Sequence, residues 1–243
     1  MITLAFDSTA KIASAAVCDG ERVLALYSID NGLTQSELLL PMAENMLHAL
    51  HLSFADVELL ACSVGPGSFT GVRIGAALVK GIAFGRDLPC APVSTLEALA
   101  ENLAGLPGLI VPVMDARRDQ FYTALFSSDG GLHRITGDDA LSADALAELL
   151  KGYPDRPIYL VGDGYASAKA ALAARGIAAE ETPRLLREEN AASVALVGQR
   201  MLAAGKCVSD RDLFPTYLRM PQAERERLER LKEENEKALS GKG

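Results

Sequence analysis

The sequence predicts an α/β protein made of two consecutive units, and three observations carry this. Strand-like and helix-like segments alternate along most of the chain. The alternation restarts at residue 109, after a break at Gly105 to Gly108. A chain of 243 residues at 49% hydrophobic composition also supplies enough apolar material for a large core, at a length that favours two small domains.

The elements follow in order. Residues 2–7 (ITLAFD) alternate apolar and polar side chains, and residues 12–27 set Asp19-Gly20 between two apolar runs, the strongest short hairpin signal. The chain therefore opens with three antiparallel strands. Residues 34–51 begin with Thr34 facing Glu37 in a capping box and then place Leu39, Met42, Met46 and Leu50 at helical spacing. Pro41 lies too deep for a first-turn proline and removes a backbone hydrogen bond, which predicts a kink or a late start. VELLACSV (57–64) reads as a buried strand running into the glycine-rich SVGPGSFTGVR (63–73). From Thr70 to Gly85 the pattern is helical with only Arg73 and Lys80 charged, so this second helix is predicted to be covered on two sides. CAPV (90–93) and STLEALAENL (94–103) add a strand and a short capped helix.

The second unit restarts with LIVPVMD (109–115) and QFYTALF (120–126), two strands joined by ARRD. Helices at 142–151 and 165–175 flank a strand at PIYLVG (157–162), and a helix at 191–205 ends on Gly205. The expected divisions are 1–105, 106–215 and a polar helical tail, 216–243, in which Glu226 with Arg230 and Glu233 with Lys237 pair at i,i+4.

Composition excludes several classes. A formal charge of −8 opposes general affinity for nucleic-acid phosphates. Cys18, Cys62, Cys90 and Cys207 are too widely spaced for a zinc or disulfide framework and read as reduced thiols. The chain shows no basic n-region and no uncharged apolar run of the ~18 residues that a membrane span needs, so a cytoplasmic protein is expected. His48 and His51 are i,i+3 on the first helix, but no carboxylate or cysteine completes a ligand set, so they read as a solvated helix end. Neither GxSxG nor HExxH occurs.

The glycine-rich loop has its own chemistry. Gly65 and Gly67 permit tight turns, and Ser68 or Thr70 can cap the second helix, whose free amides and positive dipole end can receive an anion. Gly71, Gly75, Ala76, Ala77 and Val79 then put small residues on that helix, where each glycine costs ~1 kcal/mol relative to alanine. Small residues four apart admit another helix, from within the domain or from a partner chain; the missing polar face favours a partner.

GPGSFTGVRIG (65–75), STLEALA (94–100), MDARRDQFYTALF (114–126), VGDG (161–164) and PTYLR (215–219), in this order, resemble the TsaB subfamily: inactive, glycoprotease-like homologues of TsaD, the catalytic subunit that makes threonylcarbamoyladenosine in tRNA. The resemblance implies an actin-like ATPase (ribonuclease H-like) fold, with two related domains, each a mixed five-stranded sheet flanked by helices. It implies a non-catalytic scaffold subunit with TsaD as partner, the small ATPase TsaE as third component, a homodimer when alone, contact with tRNA only through the complex, no cofactor and no membrane. The rival readings are an ATPase or kinase-like enzyme of the same fold and a metallopeptidase.

Catalytic relatives hold a metal with two histidines four residues apart on the first helix, on one helical face. This chain has LTQSELLLP there, with Gln35 where many close relatives keep one histidine. No catalytic residue and no metal ligand is therefore expected. FDSTAKIASAA (6–16) resembles the first phosphate-binding hairpin of actin-like ATPases, which makes Asp7, Ser8 and Thr9 candidates for an anion loop together with Gly65, Gly67, Ser68 and Thr70. VGDG resembles the adenosine loop. The second phosphate hairpin carries Arg117, Arg118 and Asp119 instead of glycines, and these arginines read as a turn held by local carboxylates rather than a phosphate or tRNA contact. The expected partner interface is Leu38, Leu39, Met42 and Met46 of the first helix with Gly71, Arg73, Gly75, Ala76, Val79 and Lys80 of the second.

Overall fold

The structure, a computed structural model, describes residues 1–219. The expected pairs of the polar tail lie outside the described residues.

The first unit is a five-stranded mixed sheet. β1 (Ile2–Asp7), β2 (Ala13–Asp19) and β3 (Arg22–Ile29) form an antiparallel meander, and β4 (Leu59–Gly65) and β5 (Cys90–Ser94) add parallel to β1, giving the order β3-β2-β1-β4-β5. The Asp19-Gly20 signal is the tip of the β2–β3 hairpin, with Gly20 left-handed at φ 56°. Alternation along the strands divides the residues by size. Leu4, Phe6, Val17, Leu60 and Cys62 face α1 (Gln35–Ala49) and α2 (Phe69–Ala83). Ala5, Ala16, Ala61 and Ala91 face the other way, where α6 (Ala191–Ala203) lies so close that a Cβ on Gly198 would stand 2.8 Å from Ala61 Cβ. Large side chains on one face and small ones on the other thus set two different helix-to-sheet distances.

The sequence reading is corrected at three points here. Thr34 is the N-cap of α1, but its hydroxyl lies 3.0 Å from Ser36 Oγ and makes no capping bond, so the capping box does not form. α1 runs unbroken from Gln35 through Pro41 to Ala49, with no late start. Most of the expected partner interface is inside the molecule. Leu39, Met42, Met46, Ala76 and Val79 are buried in the core that α1 and α2 form with the sheet, and Gly71 and Gly75 are buried with them. The glycines serve a close approach within the chain, because a Cβ on Gly71 would sit 1.8 Å from Ser8 O and one on Gly75 2.7 Å from Ser8 Oγ. Helical spacing of apolar residues reports a buried face without saying what buries it.

After α3 (Thr95–Glu101), the second unit is built around β6 (Leu109–Asp115). The upper half of β6 pairs antiparallel with β7 (Gln120–Thr123) and the lower half with β8 (Phe126–Ser127). β9 (His133–Arg134) extends β8 and β10 (Asp139–Ser142) extends β7. On the far side β11 (Ile158–Val161) pairs parallel with β6. The sheet therefore has six paired segments in four strand positions instead of the expected five strands, because the runs β7–β8 and β9–β10 are each broken in the middle. At the first break the Leu125 amide leaves the ladder and donates to Thr136 Oγ1 at 2.9 Å. α4 (Ala143–Leu150) and α5 (Tyr165–Ala173) pack on this sheet. The division at residues 106–215 is not a division in space, since α6 covers the first sheet. Among the described residues no helix is long and apolar enough to cross a membrane.

Two glycines of α2 separate packing from propensity. Gly71→Ala is expected to destabilise the protein by several kcal/mol, because Ser8 is backbone at the contact and cannot step aside. Gly81→Ala meets no atom within 4 Å and is expected to stabilise it by about 0.5–1 kcal/mol. Urea denaturation midpoints of the two variants check both signs.

Candidate functional site

A cavity of about 570 Å³ opens where the strand ends of the two units face each other. One wall is the β1–β2 turn with the start of α2, and the other is the β6–β7 turn with Asp163. The segment Thr216–Arg219 closes the rim.

The first wall contains the expected anion loop, and its polar groups bond one another. Asp7, 1% exposed, accepts from Thr9 N at 2.9 Å and Thr9 Oγ1 at 2.7 Å on one oxygen, and from Ser63 Oγ at 2.5 Å on the other. Ser8 Oγ donates to Gly71 O at 2.8 Å, and Ser68 N donates to Thr9 O at 2.7 Å. Ser68, not Thr70, is the N-cap of α2, its Oγ accepting from Gly71 N. Gly67 packs on Thr9 with no room for a Cβ, and Gly65 meets Thr216 in the same way. Gln35 donates its side-chain amide to Ala10 O at 2.9 Å and so ties α1 to this turn.

The second wall differs. Arg117, Arg118 and Asp119 are all left-handed, at φ 61°, 55° and 56°. A non-glycine residue held there costs about 1–3 kcal/mol. The turn is fastened from outside. Asp115 Oδ1 accepts from Arg117 N at 2.7 Å, Asp163 Oδ1 accepts from Asp115 N at 3.1 Å, and Arg219 Nη1 donates to Ala116 O at 2.7 Å. The expectation of a turn held by carboxylates is thus met at the backbone and not at the side chains: among the described residues neither the Arg117 nor the Arg118 guanidinium has a hydrogen-bond or ion-pair partner. In the VGDG segment Gly162 and Gly164 pack on Val113 O, so its glycines serve the seating of α5 on β6.

Beneath the cavity lie buried carboxyls. Glu189, 3% exposed, has both oxygens without a partner among the described residues. Burial, reinforced by Asp7 and Asp163, pushes it well above the usual carboxylate range. Asp7 is also raised, first by burial, and Asp163, which is exposed on the cavity wall, is raised first by desolvation among the groups around it. The sequence reading missed Glu189, which sits in an unremarkable REEN run. No group of His, Cys, Asp and Glu able to hold a metal occurs among the described residues, and His48 and His51 are both exposed.

The outer side of α1 and α2 is a separate surface. Arg73 packs over the Phe69 ring at 3.7 Å and donates to Tyr217 Oη at 2.8 Å; Lys80 donates to Arg211 O at 3.3 Å and lies over the Phe214 ring. Both expected interface cations therefore hold the returning chain against α2. Ala77, Gly81 and Phe84 remain exposed, the last at 79%, between half-buried Ile74, Leu78 and Ile82, while Leu38 and Leu40 edge α1.

A family model described as "TsaD: tRNA N6-adenosine threonylcarbamoyltransferase" matches residues 34–227. The chain is 32% identical over 232 residues to the tRNA threonylcarbamoyladenosine biosynthesis protein TsaB of Bacillus subtilis (strain 168), covering 92% of this chain and 96% of the relative. It is 29% identical to the TsaB protein of Escherichia coli (strain K12), covering 90% and 95%. Among solved structures, a Pseudomonas aeruginosa protein described as similar to peptidase YEAZ superposes with a TM-score of 0.75 at 24% identity, covering 90% of this chain and 99% of that one. The likeness in structure carries the fold alone, an α/β architecture of two mixed sheets flanked by helices.

Glu189 makes stability depend on pH in a stated direction. Its native pKa is raised, so between about pH 4.5 and the native value the folded protein binds more protons than the unfolded chain, and stability falls as pH rises. The slope reaches at most about 1.4 kcal/mol per pH unit for one group. Glu189→Gln, which keeps the shape and cannot ionise, is expected to be more stable than the parent at pH 8 and indistinguishable from it at pH 4. Denaturant titrations across that range measure the difference.

Proposed function

Because the chain belongs to the family of tRNA threonylcarbamoyladenosine biosynthesis proteins named TsaB, we propose that it acts in that modification as a non-catalytic scaffold that binds and supports the catalytic threonylcarbamoyltransferase subunit. Its place in threonylcarbamoyladenosine synthesis follows from the family. The partners proposed are TsaD, which carries the chemistry, and the ATPase TsaE as third component, with tRNA reached only through the assembly and the whole working in the cytoplasm.

The observation that supports a docking role is the outer face of α2. Its two charges, Arg73 and Lys80, are turned onto the Phe214–Tyr217 segment of the same chain. The stripe left to solvent is uncharged and small, Ala77 and Gly81 ending in an exposed Phe84. A surface helix ordinarily turns a polar face to water, whereas a contiguous apolar strip marks an interaction surface. The proposed interface accordingly moves outward from the buried positions to Leu38, Leu40, Ala77, Gly81 and Phe84. Alone, two copies cover this strip by an isologous contact, which TsaD binding then excludes. Gln35 supports the non-catalytic part: a residue at the position of a helix-borne metal ligand is occupied here in tying α1 to the β1–β2 turn.

Ala77→Arg tests the face without touching the core. The expected result is a monomer by light scattering and at least tenfold weaker capture of TsaD, with circular dichroism and melting temperature at parental values. Unchanged capture by a folded variant overturns the docking assignment.

A further inference from the structure

We propose that a second cavity, at the β10 edge of the second sheet, binds a small apolar amine, its ammonium group held at the Asp139 carboxylate and its hydrocarbon body lying against α4. This cavity shares no residue with the one between the two units, and its occupation does not depend on the assembly described above.

The first ground is a gap in the packing. Between β10, the end of β7 and α4 lies a cavity of about 450 Å³, within the range of small-molecule sites. The space opens where β7 and β8 fail to join: the Leu125 amide turns from the ladder to Thr136 Oγ1, and the chain between β9 and β10 lines the cavity with Thr136 and Gly137. Neither short residue on its wall fills it. A Cβ on Gly137 would meet no atom within 4 Å, and α4 contributes only Ala145 and Leu149. Leu125, Leu141 and Leu149 make the lining apolar.

The second ground is Thr123. Alternation along β7 puts it on the face that Phe121 also turns into the core under α4. It is 1% exposed and lines the cavity, and its Oγ1 has no hydrogen-bond partner. Of the buried hydroxyls among the described residues only Thr123 and Thr95 lack one, and Thr95 is not part of this cavity. A hydroxyl left unpaired in the interior is costly, and valine would fill the same volume without that cost. A bound molecule supplies the missing partner.

The third ground is charge, which selects the molecule. No lysine, arginine or histidine lines the cavity, whereas Asp138 and Asp139 both do. Asp138 is matched, since Arg134 pairs with one of its oxygens and Ser94 Oγ donates to the other. Asp139 is exposed and has no ion-pair partner among the described residues; its Oδ1 takes only the adjacent Ala140 amide. The polar atoms on offer are therefore acceptors, the Asp139 carboxylate and the Thr123 hydroxyl oxygen. An ammonium group carries three donors and no acceptor, and a hydrocarbon body covers the leucines. An anion meets an unbalanced negative charge at the same place.

The probe is cyclohexylamine, with cyclohexanol and cyclohexanecarboxylate as its neutral and anionic counterparts, each titrated at neutral pH into the full chain with isotope-labelled leucine and threonine methyl groups followed by NMR. Saturable shifts at millimolar amine are expected at the methyls of Thr123, Leu125, Leu141 and Leu149, with the alcohol at least fivefold weaker and the carboxylate without effect. Asp139→Asn should remove the preference for the amine and leave the alcohol unchanged. Thr123→Val separates a ligand group from a structural one: it should raise the melting temperature of the free protein while weakening the amine at least threefold. Ala145→Leu, which fills the space from α4, should abolish binding at a parental or higher melting temperature. No saturable shift with the amine, shifts confined to other methyls, equal binding of the three probes, amine binding unchanged in Asp139→Asn, or a lowered melting temperature in Thr123→Val each overturns the proposal.

Discussion

Ser8 O stands where a Cβ on Gly71 would be 1.8 Å away, and Ser8 Oγ bonds the Gly71 carbonyl. This contact between the β1–β2 turn and the first turns of α2 sets much of the molecule. It requires glycine on α2 despite the cost in helix stability, it brings Ser68 N onto Thr9 O, and it leaves Asp7 buried with its oxygens committed to Thr9 and Ser63. A loop composed like an anion cradle is thereby turned into a joint. Its donors and acceptors close on one another.

The two walls show two uses of backbone strain. On the first, glycines take the unusual conformations and the polar groups are satisfied locally. On the second, arginines take them, and the compensation comes from Asp115, Asp163 and Arg219. Replacing glycines by arginines in a turn that faces the same cavity changes the source of positive potential from amide dipoles to formal charge, which reaches farther and is screened by salt.

Much of the fold was legible in the sequence because its signals are local. Asp19-Gly20 marks a two-residue connection, the α2 and α6 patterns keep helical period over three turns or more, and Gly205 ends the last of these helices. The short strands β9 and β10 were not legible, since two to four residues give no period and their pairing is set by the break at Ala124–Leu125. The site was legible in its members and not in their roles. Gly71 and Gly75 signal close approach in any context, but only coordinates tell that Ser8 is what approaches. Arg117 and Arg118 lie two and three residues from Asp115, so an ion pair was the natural expectation; the carboxylate instead takes an amide. Glu189 gave no signal, because burial of a carboxyl is a property of what folds over it.

The placement of α6 has a consequence for the order of events during synthesis. Strand β1 leaves the ribosome some 190 residues before α6, yet α6 is the layer that covers the alanine face of the first sheet. Until residue 203 emerges, Ala5, Ala16, Leu59, Ala61 and Val93 have only α3, through Ala98, beside them, and the opening meander is a half-covered sheet. The first unit therefore cannot mature ahead of the second, as independent domains do. Its completion waits on a contact spanning some 190 residues, which makes the nascent chain dependent on whatever shields that face in the interval.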